Sequence, residues 1–393
     1  MASFLFTGYA LPELVAGLRA RGHEVHSGPE LEWYPRAHGN LSSPPSNIPT
    51  MLPAEYGAFV ERECRERGVN VLVLNKPFDT NLCAKHGQSW GSHSCGGGGL
   101  EPNFWHMPAE SVARIRESGA VIVWRSLDDP EDWQYGVATK LYPLLDVAGS
   151  CSDDAVAWYS RYAPKVMAFR MWPGFDRLEY PAHADPERPQ PEAECDFVMV
   201  AGTYYAPDKP GGKPNAQFGL LRRDVVRAAL AAGAKVAIYG SDDWVKSDRG
   251  GAEDFAPLYR GYAPRAALAD VFARSRIAYS SFIRRSWGYL TDRIPIAAGG
   301  GAFGLLEAQP GLGDDFRHGV HCAYHTPGSV DDVTRNVAWW LEHEDKRRAC
   351  ADAMRRLMIA EHNYDVRAGE LDAAIREAQA RRALEPAKPS CCR

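Results

Sequence analysis

One local pattern recurs along this chain: an amphipathic helix, then a glycine, then a short run of β-branched and other apolar residues. Glycine commonly ends helices because it readily adopts the left-handed conformation. Continuous apolar strands are typical of parallel sheets, which are buried on both faces. The pattern therefore predicts repeated α/β units. It is found at Pro12–Arg21 with Gly22 and His23–Val25, at Glu55–Arg67 with Gly68 and Val69–Leu74, and at Ala109–Ser118 with Gly119 and Val121–Arg125.

The second half of the chain repeats this order. A predicted strand at Cys195–Val200 is followed by a helix, Gly233 and a second strand at Lys235–Tyr239, and a helical tail is predicted from about Ser329 to Arg376. Between the halves, residues 180–191 contain four prolines and show no periodicity. Because 393 residues exceed the roughly 250–300 that one core supports, we expect two Rossmann-like α/β domains facing a cleft. The expected divisions are 1–175, a linker at 176–194, 195–365, and a C-terminal helix and tail at 366–393.

Composition narrows the class of protein. The net charge of −5 argues against a protein that coats nucleic acid or adheres to membranes. The nine cysteines follow no scaffold-like spacing, which favours a reducing compartment. The N-terminus has no signal-peptide pattern, and no apolar run approaches the ~20 residues that span a bilayer. We therefore expect a soluble, cytoplasmic protein with no membrane span.

Loops that follow the strands of the second half carry the candidate site, because parallel α/β sheets bind ligands at the carboxyl ends of their strands. They offer backbone N–H donors, cations and aromatic rings, which together suit a nucleotide. Arg293 precedes a small-residue helix that ends in three glycines, and we expect those glycines to let a phosphate approach the backbone. No Walker A, G-x-G-x-x-G, G-x-S-x-G or H-E-x-x-H motif is present. The candidate residues are Gly202, Thr203, Tyr204, Arg222, Tyr239, Gly240, Ser241, Trp287, Gly288, Tyr289, Thr291 and Arg293.

A series of short motifs resembles the CgeB-like (spore-maturation type) glycosyltransferases. The resemblance is strongest over Cys195–Arg367 and rests on the order of the motifs. In the first half it is carried by Leu127–Pro130 and Ser150–Asp153. The motifs of the second half are Ile238-Tyr239-Gly240, Tyr259-Arg260-Gly261-Tyr262, Gly288 with Asp292-Arg293, Pro310-Gly311-Leu312, Phe316-Arg317-His318-Gly319, and His362-Asn363-Tyr364 with Arg367.

The resemblance implies the GT-B fold and a nucleotide-diphosphate sugar donor held by the second domain. It implies transfer to a hydroxyl acceptor without a metal or other cofactor. Arg293, together with Arg222, would then neutralise the diphosphate leaving group. The family usually has a glutamate that binds the donor ribose three residues after this arginine, whereas this chain has Ile296. Glu307 is the next acidic residue along the chain.

Asp128 and Asp129 follow a predicted strand of the first domain at the cleft side. A carboxylate there could deprotonate the acceptor hydroxyl in an inverting reaction. Equally, Asp-Asp-Pro could simply cap the turn that follows.

The acceptor is left open between a glycan, protein or small-molecule hydroxyl and a hydroxymethylated pyrimidine in DNA. Lys209, Lys213, Arg284 and Arg285 would form a basic rim for DNA. The alternatives to transfer are a non-catalytic nucleotide-sugar binding protein and a nucleotide-sugar epimerase.

One further cluster has metal-like spacing. Cys83, His86, His93 and Cys95 provide four zinc-type ligands within a Gly- and Ser-rich stretch. Because such a stretch also suits a surface loop, we predict no metal site.

Overall fold

The computed structural model describes residues 1–31, 34–35, 50–75, 107–126, 142–202, 222–245, 253–282 and 285–384. These residues form two α/β domains, each built on a parallel sheet, so the predicted fold class is confirmed. The first sheet has six strands in the order β2-β1-β5-β6-β7-β8, and β3 pairs separately with β4. The first-domain elements are β1 (Ser3–Thr7), α1 (Pro12–Ala20), β2 (Glu24–His26), β3 (Tyr34–Pro35), β4 (Thr50–Met51), α2 (Pro53–Glu66), β5 (Val71–Asn75), α3 (Ala109–Glu117), β6 (Val121–Arg125), β7 (Val147–Ser150), α4 (Asp153–Tyr162) and β8 (Met167–Arg170).

The second sheet has five parallel strands in the order β10-β9-β11-β12-β13. Its strands are consecutive apolar runs, as burial on both faces requires. Its described elements are β9 (Cys195–Val200), α5 (Arg222–Ala231), β10 (Val236–Tyr239), α6 (Leu268–Ala273), β11 (Ser275–Ser280), α7 (Arg293–Gly300), β12 (Phe303–Glu307), β13 (Cys322–His325), α8 (Val330–Glu342), α9 (Glu344–Ala360) and α10 (Tyr364–Leu384).

The helical tail predicted from about Ser329 to Arg376 is helical and consists of three successive helices, α8, α9 and α10. His343 leaves the helical conformation between α8 and α9. Between α9 and α10 the chain turns at Asn363, whose side-chain oxygen accepts a hydrogen bond from the backbone of Val366 at 3.0 Å. A side chain that caps a backbone N–H in this way starts a new helix.

The last helix returns to the first domain. Arg21 forms an ion pair with Asp365 at 2.6 Å, and His23 lies 3.1 Å from Asp372. The apolar face of α10 joins the core that α1 forms with one side of the six-stranded sheet. The first domain is therefore completed by residues that follow the second domain in the chain.

The proline-rich segment 176–194 packs against the second domain. His183 contacts Asp270 at 2.8 Å, and the fully buried Arg355 donates to the backbone oxygens of Asp185 (2.8 Å) and Arg188 (2.9 Å). These contacts hold the segment along α6 and α9. Among the described helices, none combines the length and the apolar character needed to cross a membrane.

Candidate functional site

The carboxyl ends of the second sheet bring together the loops that the sequence singled out. β9 lies beside β10 in parallel register, with Val200 opposite Tyr239. In consequence Gly202 and Ser241 are neighbours, and a Cβ on Gly202 would lie 3.2 Å from the Ser241 hydroxyl oxygen. Four predicted site residues, Gly202, Tyr239, Gly240 and Ser241, thus lie at one edge of the sheet.

Arg222 is the most constrained of the predicted residues. It is the first residue of α5 and is buried, with 3% of its surface exposed. Its Nη1 donates to the backbone oxygen of Gly202 at 2.8 Å, and its Nε donates to the hydroxyl of Ser281 at 3.0 Å. A cation is therefore fixed between the ends of β9 and β11, where two loops of the predicted site meet.

Glu307 ends β12 beside this cation. Burial raises the pKa of Glu307 to about 7, against the opposing effects of a hydrogen bond from the Phe282 backbone and of the charges of Arg285 and Arg222. Carboxylates fully exposed to water ionise well below this pH. Glu307 is thus a buried carboxyl whose pKa lies near neutral pH, at the carboxyl edge of the second sheet.

Two aromatic residues that sequence reasoning missed form the floor next to Glu307. Tyr279 and His325 are fully buried, with the Tyr279 hydroxyl 3.1 Å from His325 Nε2 and their rings stacked at 5.5 Å. Burial lowers the pKa of His325, which favours the neutral imidazole. His325 pairs in register with Glu307 across β12 and β13. Tyr279, Glu307 and His325 lie on three adjacent strands, β11, β12 and β13, and only the register of these strands shows that the side chains meet.

The segment Ser286–Leu290 forms the principal contact between this edge and the first domain. The Trp287 backbone oxygen accepts from Asp153 N at 2.9 Å, and Asp154 Oδ2 accepts from Trp287 N at 2.7 Å. Trp172 Nε1 donates to the oxygen of Gly288 at 2.7 Å. The Trp287 ring itself remains 54% exposed. The segment Ser286–Leu290, which we call the cleft wall, is therefore attached to the first turn of α4.

Gly288 is required at this contact. Its φ is +64°, and any Cβ there would collide with the Asp153 carboxylate. Tyr289 is buried and packs edge-on against Phe282, with ring centroids 5.9 Å apart. Thr291 is also buried, with its hydroxyl 3.4 Å from that of Ser280. Tyr289 and Thr291 therefore pack behind the cleft wall and support it.

Arg293 begins α7 and is half-buried. Together with Ser280 and Ile294 it lines a small cavity of about 10 Å³ between α7 and β11. The helix start lies at the carboxyl end of the sheet, which is the end where a phosphate would bind. Ile296, at the position where the family has a glutamate, is 1% exposed and belongs to the core.

We expected Gly299, Gly300 and Gly301 to let a phosphate approach the backbone, and this prediction is wrong. Gly299 and Gly300 are in the last turn of α7, and Gly301 ends it in the left-handed conformation, at a φ of +95°. A Cβ on Gly299 would collide with the ring of Phe175, and one on Gly301 with the side chain of Gln190. Because α7 runs back across the sheet, its glycines lie at the end opposite to its start. They allow close helix packing and do not approach a ligand.

Several predicted residues lie outside the described part of the chain: Asp128, Asp129, Thr203, Tyr204, Lys209, Lys213 and Arg284, together with the zinc-type cluster Cys83, His86, His93 and Cys95. Within the described ranges, no group of three or more His, Cys, Asp or Glu side chains is placed to hold a metal ion.

Comparison with known proteins gives a family match for the second domain. Residues 222–373 match a family described as glycosyl transferase-like, and no curated protein matches the chain significantly. The matched range starts at the buried arginine of the site and includes Glu307 and His325.

Solved structures match over almost the whole chain. A glycosyltransferase from Rickettsia africae is 10% identical with a TM-score of 0.57, covering 96% of this chain and 98% of its own. Anabaena HepE in complex with UDP and glucose is 13% identical with a TM-score of 0.58, and a sucrose-phosphate synthase from Thermosynechococcus elongatus is 11% identical with a TM-score of 0.59. Both comparisons cover 96% of this chain and 99% of the other. The chain therefore has the two-domain GT-B fold, and its second domain matches the glycosyl transferase-like family.

Proposed function

We propose that this protein is a glycosyltransferase that moves a sugar from a nucleotide-diphosphate donor to a hydroxyl acceptor. The observation that carries the proposal is that Arg222 and Glu307 both lie at the carboxyl edge of the second sheet, where the charge of Arg222 acts on Glu307. A fixed cation and an acidic side chain there suit the two polar parts of a nucleotide, its diphosphate and its ribose.

Arg222 would neutralise the diphosphate. Its guanidinium is already held by Gly202 and Ser281, so little side-chain entropy is lost when a ligand binds. Negative charge develops on the diphosphate as the glycosidic bond breaks, and a preorganised cation stabilises that charge. Arg293, at the start of α7, would add a second cation from the neighbouring loop. With charge neutralised in this way, we propose that transfer requires no metal.

Glu307 would bind the ribose, in place of the glutamate that Ile296 replaces. A carboxylate accepts hydrogen bonds from both hydroxyls of a ribose. In this chain the acidic group comes from the end of β12, whereas Ile296 in α7 faces the core.

The first domain would supply the acceptor side of the cleft. We assign the general base, if the reaction inverts the sugar, to Asp128 or Asp129, which follow Leu127 after the buried strand β6. The order of motifs favours the CgeB-like type within the glycosyltransferases. A non-DNA hydroxyl acceptor agrees with the net charge of −5.

Binding and turnover of UDP-glucose test the proposal, since UDP and glucose are the ligands of the HepE structure. UDP should raise the melting temperature of the full chain, because a ligand of the native state stabilises it. In the presence of EDTA, wild-type protein should release UDP from UDP-glucose, or transfer glucose to a panel of hydroxyl acceptors.

Arg222→Met should weaken UDP binding by about 10- to 100-fold, the loss expected for hydrogen bonds to a charged group. Arg227→Met is the matched control, because Arg227 lies on the same helix and is solvent-exposed. The same binding measurements are made with other nucleoside diphosphates. Binding without turnover would identify a non-catalytic nucleotide-sugar binding protein, and no response to any nucleotide would contradict the proposal.

A further inference from the structure

A second buried arginine lies on the opposite wall of the cleft. Arg125 ends β6, in the middle of the six-stranded sheet, where it pairs in register with Asn75 of β5 and Gly149 of β7. Only 1% of its surface is exposed. Its position in the first sheet corresponds to the ligand-binding edge of a parallel α/β domain.

The guanidinium of Arg125 has few partners. Its Nη1 donates to Asn75 Oδ1 at 3.5 Å, and its Cζ lies 5.7 Å from the centre of the Tyr364 ring. Its Nε and Nη2 are buried and, within the described ranges, donate to no acceptor. Burial lowers the pKa of Arg125, the interaction with Tyr364 opposes this shift, and the charge of a second arginine, Arg265, adds to it.

Another deeply buried arginine shows what a purely structural arrangement looks like in this protein. Arg355 is equally buried, and its guanidinium donates to the backbone oxygens of Asp185, Pro186 and Arg188. Arg347 pairs with Glu344 at 2.7 Å. Arg125 has neither a set of carbonyl oxygens nor a described carboxylate in this role.

A buried cation with unsatisfied N–H groups costs free energy in general, and within the described residues Nε and Nη2 of Arg125 are unsatisfied, so they need an explanation. An anionic ligand supplies one, because a guanidinium matches the oxygens of phosphate or carboxylate in a planar fork. Asn75 lies beside this guanidinium: its Oδ1 accepts from Arg125, and one N–H of its Nδ2 donates to the oxygen of Tyr9 at 3.3 Å, so the amide is fixed and its second N–H is the donor available to an anion.

We propose that Arg125 and Asn75 form an acceptor subsite for an oxyanion, a phosphate or a carboxylate carried by the molecule that receives the sugar. This inference rests on the proposed glycosyltransferase function. Arg222 belongs to the second domain and Arg125 to the first, so the cleft has one buried cation on each wall. The donor diphosphate binds Arg222 of the second domain, and the anionic group of the acceptor binds Arg125 of the first.

The test measures melting temperatures of the full chain with the donor site saturated by UDP. The added probes are inorganic phosphate, glucose 6-phosphate, glucuronate and glucose. We expect a shift with phosphate and with one of the two charged sugars, which identifies the oxyanion, and no shift with neutral glucose. Arg125→Met should weaken the binding of that anion at least 10-fold and leave the response to UDP unchanged. Arg125→Lys, which keeps the charge without the fork, should give an intermediate affinity.

The melting temperatures of the variants without any ligand provide a second test. Arg125→Met should melt a few degrees higher than wild type, because it removes a buried charge whose Nε and Nη2 have no acceptor among the described residues. Arg355→Met should melt lower and keep the anion response. The inference is overturned if wild type with UDP bound responds to no anion, or if Arg125→Met melts lower and binds the anion as wild type does. Absence of a UDP response would instead count against the proposed function.

Discussion

At the residue scale, the proposed chemistry rests on two buried side chains at the carboxyl edge of the second sheet, Arg222 and Glu307. The guanidinium of Arg222 donates to a backbone oxygen and a hydroxyl oxygen, which replace water around it. For Glu307 the effect of burial dominates: it raises the pKa, although a hydrogen bond from the Phe282 backbone and the charges of two arginines oppose this shift. The carboxyl group is therefore the member of the pair that responds to pH.

Glu307→Gln should change the pH dependence of stability. The pKa of Glu307 is about 7 in the folded protein, against a reference of 4.5. The native state therefore favours the protonated acid, and stability falls as the pH rises from about 4.5 through 7. The difference of 2.5 pKa units corresponds to roughly 3 kcal/mol. The glutamine variant should accordingly be more stable than wild type at pH 8 and equally stable at pH 4.

Thermal unfolding at the two pH values checks this prediction. Glu344→Gln serves as a control of opposite sign, because hydrogen bonds from Arg347 lower the pKa of Glu344 to about 2. Its stabilising effect is present above the unfolded pKa and is lost as the pH falls towards 2, so this variant should lose stability at pH 8. A Glu307→Gln effect of equal size at both pH values would show that Glu307 does not titrate in this range.

At the scale of single elements, α7 illustrates how far sequence reasoning reaches. The arginine before a run of small residues indicated a helix whose start faces a ligand, and the structure starts the helix at Arg293. The function of its glycines could not be predicted. Their neighbours Phe175 and Gln190 are distant in sequence, and small residues serve close packing and ligand approach equally well.

Gly299→Ala should destabilise the second domain although alanine is the better helix former. The added methyl would overlap the ring of Phe175, which is fully buried and cannot move aside. Overpacking of this kind costs about 1–3 kcal/mol. Gly313→Ala is the control, because a Cβ there meets nothing within 4 Å. Urea unfolding should separate the two variants, and equal midpoints would contradict the packing role.

The contact that Ser286–Leu290 makes with α4 is also a property of single elements. The sequence marked this segment as part of the site, but its partners on α4 come from the other domain. Hydrogen bonds to backbone atoms leave no trace in composition or periodicity. The strands were predictable because their apolar runs are local, whereas the meeting of Tyr279, Glu307 and His325 depends on sheet register.

At the scale of the whole molecule, the two domains are joined by more than the linker. Gly288→Val would introduce both a collision with Asp153 and an unfavourable positive φ. We expect the variant to separate the Trp287 segment from α4 and to increase the radius of gyration in small-angle scattering. Gly328→Val, also at a positive φ of +79° but with nothing within 4 Å, controls for backbone strain alone. An unchanged radius in both variants would contradict the coupling.

Helix α10 is a second connection between the two domains. Leu371→Ala should destabilise the first domain by about 2–5 kcal/mol, the usual cost of removing a fully buried leucine side chain. Leu384→Ala, on the same helix but 84% exposed, should stay within about 0.5 kcal/mol of wild type. Limited proteolysis with UDP bound should show cleavage of the first domain in the Leu371 variant, with the second domain protected. Equal protease resistance of the two variants would show that α10 is dispensable for the first domain.

The return of α10 to the first domain also fixes the order in which the protein can mature during synthesis. The strands of the six-stranded sheet leave the ribosome early, but the helix that covers one face of that sheet emerges only after the whole five-stranded sheet. At about 5–20 residues per second, the interval is on the order of half a minute. During that time the apolar face around Phe4, Val73 and Val123 lacks its cover. The first domain therefore completes its core after the chain of the second domain has been made, because α10 follows every strand of the second sheet.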